Sequence, residues 1–317
     1  MAKVVLGIGT SHSPQLSVRW DRWDVFRKKD ETDPRLDYAG LTKRAKPGIE
    51  RDLEPDRWRE RDEACQRAIA SLGERVRAVK PDAFVVVGDD QQEQFHEDNM
   101  PTFAIFNGET LPMAHREGRS SEWQQAEIAG WAPTKPEYRS VAALGEHLVR
   151  SLTNAEFDVA RTNRLRPEVG IGHAFAFLYR RIWPGGDVPL VPVMVNTLYP
   201  PNQPTPHRCY ALGAAIRRAI ESYDGDARVV VMASGGLSHV IIDEELDHAA
   251  LDAMKAKDEA RLAALPREKL RGGTSEILSW VTVAGAMAAE PMTLVDYVPT
   301  YRSPAGTGCG MAFAYWA

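Results

Sequence analysis

Imidazoles and carboxylates are the side chains that hold divalent ions or move protons near neutral pH, and in this chain several stand beside glycine-rich turns. His12 lies in "GIGTSHSP", His173 in "GIGHAFAF" and His239 in "SGGLSH". Residues 85–98 read "VVVGDDQQEQFHED", an apolar run and a glycine followed by carboxylates, amides and one histidine. A single histidine of this kind is commonly structural, but three in glycine-flanked turns indicate a site. Two widespread chemistries drop out. Gly7-Ile8-Gly9 has His12 where a dinucleotide-binding turn needs its third small residue, and no G-x-S-x-G elbow surrounds Ser11 or Ser238. Glu276, in "RGGTSEILSWVTVAGAM", starts an apolar helix; Thr274 or Ser275 can cap that helix, and a first-turn glutamate meets its dipole favourably, so position alone leaves a metal role open without requiring it.

These residues need a frame that brings distant turns together. Apolar runs predict strands at 3–8, 83–87, 102–106, 188–195 and 228–233, and helical spacing predicts helices at 56–79, 141–152, 207–223, 244–264 and 274–287. Strands alternating with helices specify an α/β fold, a mostly parallel or mixed sheet covered by helices on both faces. In such sheets ligands gather beyond the carboxyl ends of the strands, where His12, residues 88–96 and His239 are expected. Residues 19–56 differ: dense mixed charge, few aliphatic residues and Pro34, Pro47 and Pro55 predict a solvated excursion or a cover over something.

The chain has 317 residues, 44% hydrophobic and 26% charged, with net charge −5, which suits a globular protein and offers no broad positive field for nucleic acid. Its start, "MAKVVLGIGTSHSP", meets glycine and polar residues too early for a signal peptide or a membrane span, so a cytoplasmic protein without membrane association is expected. The three cysteines, Cys65, Cys209 and Cys309, form no CxxC pair and read as buried thiols.

The motifs "GTSHSP", "PTFAIF", "GIGHAF", "VNTLYPPNQPTPHRCYALG", "SGGLSH", "GTSEILSW" and "YRSPAGTG", in this order from the first strand to the last, resemble the class III extradiol ring-cleavage dioxygenases, the superfamily of the protocatechuate 4,5-dioxygenase beta subunit. The nearest likeness is to the single-chain 3-O-methylgallate and gallate-type branch. The resemblance implies one catalytic domain over residues 1–317, with 19–56 as excursion or active-site cover. It also implies Fe(II) held by two histidines and one carboxylate, with an aromatic diol and O2 as substrates; separately, apolar loops such as "NTLYPPNQP" could pair two chains, so a homo-oligomer, a dimer, is expected. By the same likeness His12 and Glu276 correspond to iron ligands, His239 to the acid/base histidine and His173 to a second pocket histidine. Thr307 and Gly306 would contact the substrate carboxylate.

One position departs from the family pattern. Where the family carries its second ligand histidine, the register from "PTFAIF" gives Gln91, a neutral oxygen donor that holds Fe(II) less tightly than imidazole. His96 five residues on, or a carboxylate such as Asp90 or Glu93, remains an alternative third ligand. Two competing functions are also open: a metal-dependent hydrolase using His12, Asp89, Asp90, His173 and His239, and a binding relative that has lost its iron site.

Overall fold

The computed structural model describes residues 1–113, 121–128 and 136–317. Among these, eleven strands are β1 Lys3–Thr10, β2 Ala83–Gly88, β3 Phe103–Phe106, β4 Thr110–Pro112, β5 Glu137–Arg139, β6 Ala160–Thr162, β7 Leu190–Val195, β8 Arg228–Ser234, β9 His239–Ile241, β10 Met292–Pro299 and β11 Thr307–Trp316. The main sheet runs β10-β11-β1-β8-β2-β7-β3-β6, with β9 paired to β11, while β4 and β5 form a separate pair. Its centre, β1-β8-β2-β7, is parallel, and β11, β10 and β3 join antiparallel to their inner neighbours. The sheet is therefore mixed, as the alternating sequence pattern allows.

Strands buried on both faces read as continuous apolar runs, and β2 and β8 do so. Their successive residues serve opposite cores. Val85, Val87, Val229 and Val231 pack under helices Ala142–Asn154, Pro206–Ser222, Glu244–Lys255 and Ile277–Ala286. Phe84, Val86, Val230 and Met232 pack under helices Pro55–Ala78 and His173–Phe177. In the parallel register Gly9 and Val87 both stand beside Ala233, so β1, β2 and β8 end next to one another. The turns carrying His12, Asp89 and residues 235–239 leave from those adjacent ends.

Two expected helices differ from the prediction. The run 244–264 breaks into Glu244–Lys255 and Glu259–Ala263, because Lys257 takes φ 56° and Asp258 caps the second piece by accepting from the Arg261 N–H. The run 274–287 begins as a 3₁₀ turn, Gly272–Glu276, before helix Ile277–Ala286. The antiparallel edge made by β10 and β11 lay outside the predicted strands. No helix among the described residues is long and apolar enough to cross a membrane.

Residues 19–56 carry three short helices, Asp24–Glu31, Tyr38–Lys43 and Ile49–Asp52. The segment is bolted to the body by aromatic packing of Trp23 and Phe26 with Trp58 and by an indole N–H bond from Trp23 to the Gln15 carbonyl (3.1 Å). A buried ion pair adds to this. Arg302 donates from Nε to Asp30 Oδ2 at 2.7 Å and from Nη2 to Oδ1 at 3.1 Å, with Nη1 on Gln15 Oε1 at 2.9 Å. Removing one partner of such a pair leaves a buried uncompensated charge. Asp30→Ala is therefore expected to lower stability by about 3–5 kcal/mol in urea denaturation. Arg57→Ala, which breaks only the exposed Arg57–Glu60 pair, should stay close to the parent protein.

Candidate metal centre

Glu276 is the buried hub of the strand-end cluster, 1% exposed. Its Oε2 accepts from the Gly236 N–H at 2.7 Å and lies 3.4 Å from His12 Nε2, while Oε1 lies 3.0 Å from His239 Nε2 and accepts from Gln91 Nε2 at 3.3 Å. The expected helix-capping role does not hold. Thr274 Oγ1 donates to the His239 carbonyl at 2.8 Å, Ser275 Oγ donates to the Gly272 carbonyl at 2.6 Å, and the Glu276 carboxylate faces inward. Burial works against its charge, but His239 and His12 outweigh burial and hold the carboxyl well below its usual range.

Each imidazole is fixed by a partner on its other nitrogen. Ser234 Oγ donates to the Ala174 carbonyl at 2.6 Å, so at 3.1 Å it accepts from His12 Nδ1–H, and Nε2 of His12 is left facing Glu276. His239 Nδ1–H donates to the Leu237 carbonyl at 2.8 Å, which turns Nε2 toward Glu276. Burial opposes a charge on His239, yet Glu276 raises it well above its usual value. His173 donates from both its backbone N and Nδ1 to Glu93, the latter at 2.8 Å, and its ring meets that of His12 edge-on at 4.7 Å.

Close backbone approach makes this geometry possible. A Cβ on Gly273 would lie 2.1 Å from the His239 ring, and one on Gly9 would lie 2.5 Å from the Trp280 ring. Trp280, one helical turn past Glu276, donates from Nε1 to the Gly235 carbonyl at 2.8 Å and so ties the helix of Glu276 to the turn after β8.

The sequence-predicted residues His12, His239, Glu276, Gln91 and His173 all line one cavity of about 830 Å³. His96 does not line it; its backbone closes a turn with Asn99. Asp90 is a loop staple, its carboxylate accepting from the N–H groups of Gln94 and Phe95, and burial pushes its carboxyl up to about 6. Thr307 and Gly306 also stand apart from the cavity wall. The Thr307 hydroxyl donates to Ser303 Oγ at 2.7 Å, and the same loop presents Arg302, Gly308 and Cys309 to the cavity instead.

Two carboxylates hold places other than those expected of them: Glu93, an alternative third ligand by sequence, and Asp89, which enters only the hydrolase reading. Glu93 orients His173. Asp89, at the very end of β2, is fully buried with both oxygens lacking a hydrogen-bond partner, 4.0 Å from His12 Nε2, and forms with His12 and His173 a group whose ligand atoms lie within 4.8 Å of one another. Burial and the Glu276 carboxylate push the Asp89 carboxyl up. The signal in the sequence was the pair "DD" directly after "VVVG", which cannot say which of the two turns inward.

Ligand atoms bonded to one first-row ion at roughly 2.0–2.2 Å stand about 3–4 Å apart, and His12 Nε2 lies 3.4 Å from Glu276 Oε2 and 4.0 Å from Asp89 Oδ1. Imidazole and carboxylate donors, one carboxylate of them without a partner, fit a divalent ion.

Comparison with known proteins agrees with this chemistry. A family model described as the catalytic LigB subunit of aromatic ring-opening dioxygenase matches residues 52–311. A gallate dioxygenase from Pseudomonas putida is 35% identical over 162 residues, 47% of this chain and 46% of that protein. A 2,3-dihydroxyphenylpropionate/2,3-dihydroxicinnamic acid 1,2-dioxygenase from Cupriavidus necator is 32% identical over 174 residues, 55% of this chain and 49% of that protein. The matched part spans about half the length of each relative.

The pairing of His173 with Glu93 has a measurable consequence in the metal-free protein. Burial pulls the imidazole down, but Glu93 outweighs it and pushes His173 up to about 10 from an ordinary 6.5. A raised folded-state value means that its stabilising contribution is complete below about pH 6.5 and is lost as the pH rises through 10. Glu93→Gln should lower the His173 value in an imidazole NMR titration and flatten that part of the stability profile. An unshifted titration would remove Glu93 as the cause.

Proposed function

The chain belongs to the LigB family of aromatic ring-opening dioxygenase catalytic subunits, and we propose from this that it is an Fe(II)-dependent extradiol dioxygenase. In this reading it opens the ring of a catechol- or gallate-type substrate next to the diol and inserts both atoms of O2. The observation that carries the proposal is the convergence of His12 and Glu276, 3.4 Å apart, on one cavity that also contains His239 and His173.

His12, Glu276 and, as the family counterpart of a second histidine, Gln91 are the residues assigned to the metal. When bound, the ion supplies open positions where the diol and O2 come together and exchange electron density. His239 is the acid/base group. Glu276 favours its protonated form from 3.0 Å away, and with Glu276 holding an ion, Nε2 would be the group to accept a hydroxyl proton from the diol and return it later. A group so placed contributes roughly 10²–10⁴-fold to rate. His173, its Nδ1 taken by Glu93, points its remaining nitrogen to hydrogen-bond a substrate oxygen. Thr307 and Gly306 then act on the substrate carboxylate through the shape of their loop, whose Gly308 and Cys309 line the cavity.

Residues 19–56 are assigned as the active-site cover within a single catalytic domain, since Phe26, Lys29, Asp33, Arg35 and Leu36 form part of the cavity wall. A cytoplasmic homodimer completes the proposal: the three free cysteines are all buried, which suits a reducing compartment, and the loop "NTLYPPNQP" is offered as the pairing surface. Metal-dependent hydrolysis draws support from the unpartnered Asp89 beside two histidines.

Anaerobically iron-loaded protein should consume O2 with a member of a panel of gallate, 3-O-methylgallate, protocatechuate and catechol, giving a ring-opened product. Hydrolytic turnover without O2 uptake would favour the second reading. His239→Ala should keep its iron content near normal while losing roughly 10²–10⁴-fold in turnover; full activity in that variant would remove the acid/base assignment.

A further inference from the structure

We propose that Asp89, rather than Gln91, supplies the third protein donor, so that the ion is held by one imidazole and two carboxylates. This rests on the reading of His12 and Glu276 as metal ligands and changes the donor set that reading implies.

The argument begins with an unfavourable arrangement. Asp89 is wholly buried, and neither carboxylate oxygen has a hydrogen-bond partner. A buried carboxylate normally gathers several donors, as Glu276 does, because without them the loss of hydration is not offset. Here a second buried carboxylate, Glu276, adds repulsion, which with burial outweighs the easing effect of the His173 and His12 imidazoles and the Gln91 amide. Such local conflict is retained where something outside the chain resolves it, and a divalent cation resolves both parts at once. It satisfies the empty oxygens, and its two positive charges match two carboxylates.

The geometry favours the same residue. Asp89 follows directly on β2, and its strand partner β8 leads into Gly235 and Gly236 against Glu276. Its position is therefore set by the sheet. Asp89 Oδ1 lies 4.0 Å from His12 Nε2 and Glu276 Oε2 lies 3.4 Å from the same nitrogen, so that one nitrogen faces two carboxylates. Gln91 sits two residues further along a loop and is already engaged, donating from Nε2 to Glu276 Oε1 at 3.3 Å. In that role it is a positioning residue for a ligand. Where the family pattern has imidazole at this place, the chain thus offers a charged oxygen from two residues earlier.

Fe(II) titrated anaerobically into the metal-free protein by calorimetry, paired with thermal unfolding of the metal-free variants, tests the assignment. Asp89→Asn should weaken binding by more than the roughly 10–100-fold that loss of an outer hydrogen-bond partner costs, and Gln91→Ala should stay within that range. The metal-free Asp89→Asn protein should also melt at a higher temperature than the metal-free parent, because a buried carboxyl without a hydrogen-bond partner has been removed. Unchanged affinity in Asp89→Asn, or a larger loss in Gln91→Ala, would overturn the proposal and leave His12 and Glu276 as ligands. A lower melting temperature would mark Asp89 as a support of the fold and overturn it equally. Parent-like affinity in His12→Ala and in Glu276→Gln would remove the ion site itself.

Discussion

A carboxylate enclosed by protein persists only if its lost hydration is replaced, and at Glu276 that requirement organises the neighbourhood. The replacement comes from separate parts of the chain: the Gly236 N–H after β8, the Gln91 amide after β2, and the imidazoles of His12 after β1 and His239 at the start of β9. None can be moved far without exposing the charge to an uncompensated interior. The parallel register of β1, β8 and β2 is the reason these turns are neighbours at all. The mixed sheet thus acts as a ruler that fixes the spacing of donors contributed from positions up to 264 residues apart in sequence.

Two polar subsystems share the cavity and are oriented differently. His12 and His239 are each tied on Nδ1 to neutral acceptors, a serine hydroxyl and a backbone carbonyl, which fixes their tautomers without adding charge. His173 is tied to a carboxylate, which outweighs its burial and pushes it up to about 10. The difference separates a residue suited to donate steadily from one whose proton affinity depends on what Glu276 is doing. Asp247 supports the second case from behind: its carboxylate accepts from Ser238 N, Ser238 Oγ and Tyr297 Oη, each at 2.7 Å, and so holds the residue preceding His239.

The central sheet was legible because β2 and β8 are apolar on both faces and need no partner to declare themselves, and His12, His239 and Glu276 were legible because their motifs keep fixed neighbours. The tryptophan four residues after Glu276 shows why: Trp280 fills the space above Gly9 and bonds to Gly235, so the spacing is a packing constraint before it is a chemical one. What stayed hidden depends on direction. In "GDDQQEQF" the two aspartates have identical local chemistry, yet Asp89 turns into the site and Asp90 turns back to accept from Gln94 and Phe95. That choice is made by the strand's twist and the loop's closure on itself. The partnership of Glu93 with His173, 80 residues apart, likewise exists only in three dimensions. The antiparallel strands β10 and β11 were missed because they follow the last helix and break the alternating pattern that identified the rest.

The mixed-charge segment 19–56 shows how a stretch that reads as surface can become interior wall. Its charges are not spread evenly in solvent: Asp30 is fully buried against Arg302, and the residue before it, Lys29, reaches the cavity with its ammonium over the Trp123 ring at 5.3 Å. Burial, with Arg302 close by, holds that ammonium below its usual range. The buried pair therefore does more than attach the segment, since anchoring Asp30 also fixes which way the helix Asp24–Glu31 presents Lys29 and Phe26. Arg302 itself belongs to the loop between β10 and β11, the antiparallel edge next to β1. A single guanidinium so couples this segment to the sheet that carries His12, and part of the cavity wall is held by the same framework that positions the histidine.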